Sequence, residues 1–297
     1  MKNILVLTDF SENAWNSLKY AIKLFNNNSC NFHFLNTYTP NIASYRLMTT
    51  NLNNGQIKND AAYISKTELK KLKKYIDENW SNPKHTFSYT SSFSLLKDEA
   101  KEIIEKENID FIAMGAKGVS DTEEVSMGNN TIRIIKSIKN CPLLIIPKHS
   151  DFRMFNTITF ITDFNHFYKP SELSMLLTIA KMHEVNVEII CNQDKSEKLT
   201  EQQRYNLEAL KKYLDNIKFE IQIPSEGNSF TSIEKQIDNS NHHLIVVPDR
   251  LLNFIQESYR LPSIKKELFD LKTPLLIIPE TKISLPKKHI NQDVLSH

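Results

Sequence analysis

Residues 142–147 read Pro-Leu-Leu-Ile-Ile-Pro, and residues 274–279 repeat the same six residues in the same order. Each run is short, apolar and bounded by proline, which cannot donate a backbone hydrogen bond and therefore limits a strand at its ends. Such apolar runs are typical of strands that are buried on both faces of a parallel sheet. The repetition indicates that one structural unit occurs twice in the chain.

A second pair of matching segments opens the two units. Residues 6–10 (Val-Leu-Thr-Asp-Phe) are echoed by residues 160–164 (Phe-Ile-Thr-Asp-Phe), so an apolar run ends in Thr-Asp-Phe both times. We therefore predict two tandem domains, at residues 1–148 and 154–280, and a polar tail at 281–297. A chain of 297 residues suits two domains of ordinary size.

Strand-sized apolar runs alternate with helix-sized amphipathic segments. After the first run, Ser11 offers an N-cap, and Ala14, Leu18 and Ile22 recur at helical spacing. This alternation predicts an α/β fold in which each domain is a doubly wound parallel sheet flanked by helices. The repeated hexapeptide strands are expected to pair edge to edge, which would join the domains as an intrachain pseudo-dimer and cover two sheet edges.

Three of the chain's five glycines, Gly115, Gly118 and Gly128, fall in one short segment between an apolar run and an amphipathic one. Glycine lets the backbone approach a ligand closely, and the start of a helix exposes unpaired N–H groups at the positive end of its dipole. Together these features predict a phosphate site, with Asp9 beside it at the carboxyl end of the first strand. A loop that the glycines merely shape, without a ligand, explains the same spacing.

Neither common phosphate-binding motif accounts for this segment. Gly-Lys-Ser/Thr is absent, and the glycines follow the fourth predicted strand instead of the first. The spacing Gly115-x2-Gly118-x9-Gly128 is instead similar to the Gly-x2-Gly-x9-Gly-Ser/Thr signature of the universal stress protein family. Residues 4–11 and 141–147 also resemble that family's first and last strands, and the resemblance covers essentially both halves of the chain.

The resemblance implies a five-stranded parallel sheet in the order 3-2-1-4-5, ATP binding in some members, and dimerisation through the fifth strand. It places Asp9 near the adenosine and metal end of the ligand, Asn36 near adenine, and Met114 on the ribose side. The glycines and the residues after them would present N–H groups to the phosphates. The implied ligand-binding residues are Thr8, Asp9, Asn36, Met114, Gly115, Gly118, Gly128, Asn129 and Asn130.

Two departures from the family pattern lie in the first domain. Asn129 stands where the family has Ser or Thr, so a hydroxyl is lost while the backbone N–H remains; one neutral hydrogen bond contributes about 0.5–1.5 kcal/mol. The acidic residues 121–124 would repel a triphosphate unless a divalent cation such as Mg²⁺ intervenes.

The second domain has no equivalent glycine segment. After the apolar run 244–247, the chain reads Pro248-Asp249-Arg250, in which proline lacks an N–H and the aspartate would bring negative charge toward a phosphate. Arg250 itself is interpreted as a surface arginine, although it is also able to attract an anion. We therefore expect ATP, with or without Mg²⁺, in the first domain only.

These features predict a regulatory protein of the stress response that binds ATP without substantial turnover and presents a surface to an unidentified protein partner. The second domain is then structural or partner-binding. Two alternatives remain open: an interaction scaffold that binds no nucleotide, and a weak ATPase or nucleotidyl-transfer enzyme. The sequence shows no nucleophile with an adjacent base near the glycines, so no catalytic residue is assigned and the chain is expected not to be an enzyme.

Composition limits the environment and partners that we expect. The formal net charge is +2, which calls for neither nucleic acid nor an acidic membrane surface as a partner. No apolar run approaches the roughly 20 residues that span a bilayer, so a cytoplasmic location is expected. The three cysteines are far apart, which favours reduced, buried thiols, and the scattered histidines predict no metal site. Homo-oligomers beyond the pseudo-dimer stay open.

Overall fold

The structure, a computed structural model, describes residues 1–39, 54–118, 127–191, 198–222, 243–251 and 273–280; for residues 54–60 only the backbone is considered. The acidic residues 121–124 and the predicted tail at 281–297 lie outside the described residues.

Strands and helices alternate along both halves of the described chain. The strands are β1 (Lys2–Leu7), β2 (Cys30–Thr37), β3 (His85–Ser92), β4 (Phe111–Gly115), β5 (Leu143–Ile146), β6 (Thr157–Thr162), β7 (Asn186–Cys191), β8 (Phe219–Gln222), β9 (His243–Pro248) and β10 (Leu275–Ile278). The helices are α1 (Glu12–Leu24), α2 (Asn54–Asn79), α3 (Leu96–Lys106), α4 (Asn129–Ser137), α5 (Pro170–His183) and α6 (Glu201–Tyr213).

All ten strands form one sheet in the order β3-β2-β1-β4-β5-β10-β9-β6-β7-β8. Neighbouring strands within β1–β5 and within β6–β10 are parallel. Counted within each half, both sets of strands have the order 3-2-1-4-5. The predicted α/β fold and strand order are therefore confirmed.

The two halves meet at the repeated hexapeptides. β5 and β10 pair antiparallel, with Leu276 opposite Leu144, and all four residues of each strand are buried. The antiparallel pairing of two identical strands relates the halves by a local two-fold, as in a C2 dimer interface. The expected pseudo-dimer through the fifth strands is thus confirmed.

Side chains of the first half alternate between two apolar layers. Phe32 and Phe34 pack on the face that α1 and α2 cover, while Leu35 packs on the face that α3 and α4 cover. This alternation follows from the two-residue period of a strand. The same alternation determines which side of the sheet each residue near a strand end faces.

Helix α1 starts where the sequence predicts it. Ser11 is its N-cap, and the Ser11 hydroxyl accepts a hydrogen bond from Ala14 N at 3.1 Å. The buried positions of this helix include Ala14, Leu18 and Ile22. Their helical spacing faces the sheet, so α1 packs across β1, β4 and β5.

The cysteines behave as predicted. Cys30, Cys141 and Cys191 are all buried and unbridged. Burial raises the pKa of Cys30 and of Cys191 to about 11, so these thiols stay protonated at neutral pH and are weak nucleophiles. Within the described ranges, no helix is long and apolar enough to cross a bilayer.

Candidate functional site

A tight turn follows β1 and displays Asp9. Thr8 Oγ1 accepts a hydrogen bond from Phe10 N at 3.0 Å, and Asp9 Oδ1 accepts one from Ser11 N at 3.0 Å. Phe10 has φ 63°, a left-handed conformation that is unusual for a bulky residue and costs on the order of 1–3 kcal/mol. The Thr8 and Asp9 side chains stabilise this turn through these hydrogen bonds. Asp9 is exposed there, at the carboxyl end of β1.

A crevice of about 470 Å³, including space open to solvent, lies at the carboxyl ends of β1 and β4. Leu7, Leu96 and Met114 give it an apolar part, whereas Asp9, Lys117 and Asn130 give it a charged and polar part. Its lining residues are Leu7, Thr8, Asp9, Ala14, Thr37, Leu96, Met114, Gly115, Lys117, Gly118, Asn130 and Thr131. The sequence-predicted residues Thr8, Asp9, Met114, Gly115, Gly118 and Asn130 are thus brought together at one crevice.

The start of α4 contributes backbone donors to this crevice. Gly128 is the N-cap, and the first intrahelical bond runs from Ile132 N to Gly128 O at 3.0 Å. The N–H groups of Asn129, Asn130 and Thr131 precede that bond and so have no acceptor within the helix. The Thr131 hydroxyl donates to Gly115 O at 3.1 Å, which fixes the end of β4 against the helix start. The resulting positive end of the helix favours an anion.

Two of the three glycines have structural reasons of their own. A Cβ atom on Gly115 would lie 2.7 Å from Asn13 Nδ2 and 3.2 Å from the Asn13 backbone carbon, so this glycine permits the close approach of α1 to β4. Gly128 N–H donates to Ala116 O at 2.8 Å. That N–H is already bonded to a backbone oxygen of the same domain and is therefore not directed to a phosphate.

Asn36 and Asn129 are not among the residues that line the crevice. Asn36 is 7% exposed; its Nδ2 donates to Thr8 O at 2.8 Å, and its Oδ1 accepts from Ser65 Oγ at 2.6 Å. The neighbouring Thr37 lines the crevice, because adjacent residues of a strand face opposite sides of the sheet. Asn36 thus supports the turn after β1 from the side of the sheet opposite to the crevice. Asn129 is exposed at the first position of α4.

Several residues that form the crevice were not predicted from the sequence, among them Lys117, Leu96 and Asn13. Lys117 and Leu96 line the crevice, and Asn13 buttresses it by donating from Nδ2 to Lys117 O at 3.0 Å. Lys117 had a sequence signal, since it lies between the first two glycines of the family spacing. Asn13 and Leu96 had none, because only the packing of α1 and α3 on the sheet brings them near the glycine segment.

The second half repeats the turn but fills the space beyond it. Thr162 Oγ1 accepts from Phe164 N at 3.1 Å, and Phe164 has φ 56°, as in the first half. Asp163, however, is 8% exposed and is held by Arg250, whose Nη1 and Nη2 donate to its two carboxylate oxygens at 2.9 and 2.6 Å. Arg250 is thus exposed at the surface, as interpreted from the sequence, and the structure adds that it is bound to Asp163.

Residues 1–147 match the model of the Universal stress protein family. This half of the chain belongs to that family. The fold across both halves is also that of a universal stress protein from Archaeoglobus fulgidus, which aligns over 93% of this chain and 98% of its own with 15% identity and a TM-score of 0.61. A protein of unknown function from Pseudomonas aeruginosa aligns over 94% of this chain and 92% of its own, with 13% identity and a TM-score of 0.52.

A universal stress protein from Lactobacillus plantarum aligns over 49% of this chain and 96% of its own, with 18% identity and a TM-score of 0.38. No curated protein sequence matches the chain. At these identities the structures from Archaeoglobus fulgidus and Pseudomonas aeruginosa establish the fold of the chain and not its ligand.

Proposed function

We propose that this chain is a cytoplasmic regulatory protein of the stress response that binds an adenine nucleotide, ATP, in the crevice of its first half and does not turn it over substantially. The observation that carries the proposal is the crevice itself. It joins an apolar part to the amino-terminal end of α4 and to a lysine, within one half that belongs to the universal stress protein family. The second half then serves a structural or partner-binding role.

The crevice suits an adenine nucleotide in its chemistry. Leu7, Leu96 and Met114 suit the apolar faces of a base. The backbone N–H groups of Asn130 and Thr131, together with Lys117, suit phosphate oxygens. Asp9 would serve a ribose hydroxyl or a Mg²⁺ ion that accompanies the phosphates.

The absence of turnover is proposed from the side chains around the crevice. Its twelve lining residues include one carboxylate, Asp9, and one amine, Lys117, and no histidine or cysteine. General-base chemistry on an attacking group needs a base within hydrogen-bond reach of it, commonly oriented by a third residue. Within the described part of the chain, the lining offers no such pair. Occupancy of the site, and not chemistry, would then change the surface that a partner meets.

Calorimetry with ATP on the full chain tests the binding step. We expect saturable binding with one site per chain, and we expect Lys117→Ala to weaken it about tenfold or more, since hydrogen bonds to charged groups contribute about 1.5–3 kcal/mol. The matched control is Lys136→Ala, because Lys136 is an exposed lysine of α4 that does not line the crevice. Two sites per chain, or equal weakening by both variants, would contradict the proposal. Release of phosphate from labelled ATP well above background would favour the enzyme alternative.

A second candidate function is an interaction scaffold that binds no nucleotide. It is favoured by the structural roles of Gly115 and Gly128, which explain two of the three glycines without a ligand. The same calorimetry separates the two candidates. A scaffold gives no heat with millimolar ATP, and its Lys117→Ala variant behaves as the parent chain does.

A further inference from the structure

Counterpart positions of the two halves carry different charges. In the strand register, Val6 lies opposite Ala113 and the equivalent Phe160 lies opposite Val246, so Arg250 is the counterpart of Lys117. The hexapeptide repeat likewise makes Glu280 the counterpart of Lys148. The first half therefore has an aspartate with two lysines at these positions, whereas the second has Asp163 and Glu280 around one arginine.

The guanidinium of Arg250 bridges both carboxylates. It donates to Asp163 through both terminal nitrogens at 2.9 and 2.6 Å, and its Nε lies 3.2 Å from Glu280 Oε2. The planar fork of arginine matches this bidentate geometry, whereas a lysine ammonium would not. Asp163 also accepts two hydrogen bonds from Asn165, from its backbone N at 3.0 Å and from its side-chain Nδ2 at 2.9 Å.

Both carboxylates are built into the fold, while the arginine covers them. The side chains of Asp163 and Glu280 are 11% and 10% exposed, and that of Arg250 is 43% exposed. Glu280 Oε1 is buried and has no hydrogen-bond partner among the described residues. Burial would by itself raise the pKa of Asp163, but the hydrogen bonds from Arg250 and Asn165 outweigh it, so the Asp163 pKa is lowered. Burial also raises the pKa of Glu280.

We propose that the second half contains a guanidinium-binding site, formed by the carboxylates of Asp163 and Glu280, which Arg250 of the same chain permanently fills. The site occupies the place where the first half has its crevice, at the carboxyl ends of the first and fourth strands. A half that carries its own counter-ion needs no external ligand to hold these strand ends. The second half thus supports the pairing of β5 with β10 in the same way whether or not the first half binds a ligand.

Chemical rescue of Arg250→Ala tests this site directly. Guanidinium chloride up to 50 mM should raise the midpoint of thermal unfolding of the variant in a saturable way, and methylguanidinium should act similarly. A dissociation constant of about 10 mM would lower the unfolding equilibrium constant roughly sixfold at 50 mM. Sodium chloride and urea at the same concentrations control for screening and for amide-like solvation, and neither should rescue.

Two proteins serve as matched controls in the rescue experiment. The parent chain has the site filled, and Arg204→Ala removes an exposed arginine of α6 that has no part in it. Neither should respond to guanidinium except by slight destabilisation, since a denaturant at 50 mM has a small effect. An equal response of all three proteins, or no response of Arg250→Ala, would overturn the proposal.

A second measurement covers the case in which Arg250→Ala does not fold. Arg250→Met, Asp163→Asn and the double variant form a double-mutant cycle on the unfolding equilibrium. We expect a coupling of about tenfold, so that Asp163→Asn is far less harmful once Arg250 is gone. Additive effects would show that Arg250 is not the ligand of Asp163. This cycle does not involve nucleotide, so its failure is distinct from failure of the proposed ATP site.

Discussion

The two halves share a turn and differ in what lies beyond it. In both, a threonine hydroxyl accepts a hydrogen bond from the backbone N of a phenylalanine in the left-handed conformation, with an aspartate between them. Asp9 is exposed beside an open crevice, whereas Asp163 is buried under Arg250. This turn is therefore a structural feature of the fold in both halves. The charged residues that follow the fourth and fifth strands differ between the halves, and the turn borders an open crevice in the first half and an internal ion pair in the second.

The supports behind the turn also differ between the halves. In the first half, Asn36 of β2 donates to Thr8 O at 2.8 Å. In the second half, Gln203 and Asn206 of α6 donate to the backbone oxygens of Asp163 and Phe164 at 2.9 and 2.8 Å. A backbone acceptor near the turn is satisfied in each case, as buried carbonyl groups require. The same backbone geometry is therefore kept by unrelated side chains.

The largest expected effect concerns the close approach of α1 to β4, which belongs to the first half because the counterpart of Gly115 is Pro248. Gly115→Ala would place a Cβ 2.7 Å from Asn13 Nδ2 and 3.2 Å from the Asn13 backbone carbon, so the Asn13 side chain must shift and the backbone of α1 must yield by a few tenths of an ångström. We expect a loss of about 2–3 kcal/mol in the free energy of unfolding, measured with urea. Asn13→Ala combined with Gly115→Ala should lose less than the sum of the single variants, since part of the clash is removed. Strict additivity would contradict this explanation.

The second prediction compares the two aspartates at neutral pH. Asp163→Asn removes the charge that binds the partly exposed Arg250, and we expect a loss of about 1–2 kcal/mol in the free energy of unfolding. Asp9→Asn, which concerns an exposed residue, should change it by less than about 0.5 kcal/mol. Equal losses at both positions would show that the buried and the exposed aspartate do not differ in their contribution to stability.

The dependence of the free energy of unfolding on acid pH provides a further check on the contribution of Asp163. Its pKa is lowered in the folded state, so its contribution is fully present above the unfolded value of roughly 3.9 and is lost as pH falls through the folded value. The difference between the parent chain and Asp163→Asn should therefore be constant from pH 7 to about pH 5 and shrink below about pH 4. A difference that persists unchanged at pH 2 would show that the ionised carboxylate is not its source.

The third prediction separates binding from folding at the start of α4. Asn130→Asp puts a negative charge on a residue that lines the crevice in the first turn of the helix. The helix dipole should make the chain more stable by about 0.3–1 kcal/mol, whereas repulsion of phosphate should weaken ATP about tenfold. Asn129→Asp is the matched control, because it has the same helix effect without lining the crevice, and its loss of affinity should be smaller. Thermal unfolding and calorimetry on both variants measure the two effects.

The smallest expected effect lies at the joint between the halves. Lys139 Nζ contacts the Asp249 carboxylate at 2.7 Å, and the lysine side chain is 47% exposed. Exposed ion pairs contribute little, so Lys139→Ala should cost at most about 1 kcal/mol, and less at high salt. The buried strands β5 and β10 should keep the joint intact in this variant. A loss of several kcal/mol would mean that the ion pair, and not the apolar strands, holds the halves together.

The glycine segment shows how much of the site could be predicted. Its position after the fourth strand follows from local periodicity, so Asp9, Met114, Gly115 and Gly118 were correctly placed at one edge of the sheet. The face on which Asn36 lies depends on strand parity, and a shift of one residue reverses it. The engagement of Gly128 N–H with Ala116 O depends on how the loop closes, which the spacing of glycines does not specify.

The sequence by itself determined the duplication, the alternation of strands and helices, and the identity of the strands that join the halves. These features rest on local apolar runs and on repeated segments, which a chain carries without regard to its fold. Only the tertiary structure decided that Arg250 fills the second site, because Asp163 and Arg250 are 87 residues apart and meet only when β6 and β9 pair. The same holds for Asn13 against Gly115, since a contact between distant residues is fixed by packing and has no local signal.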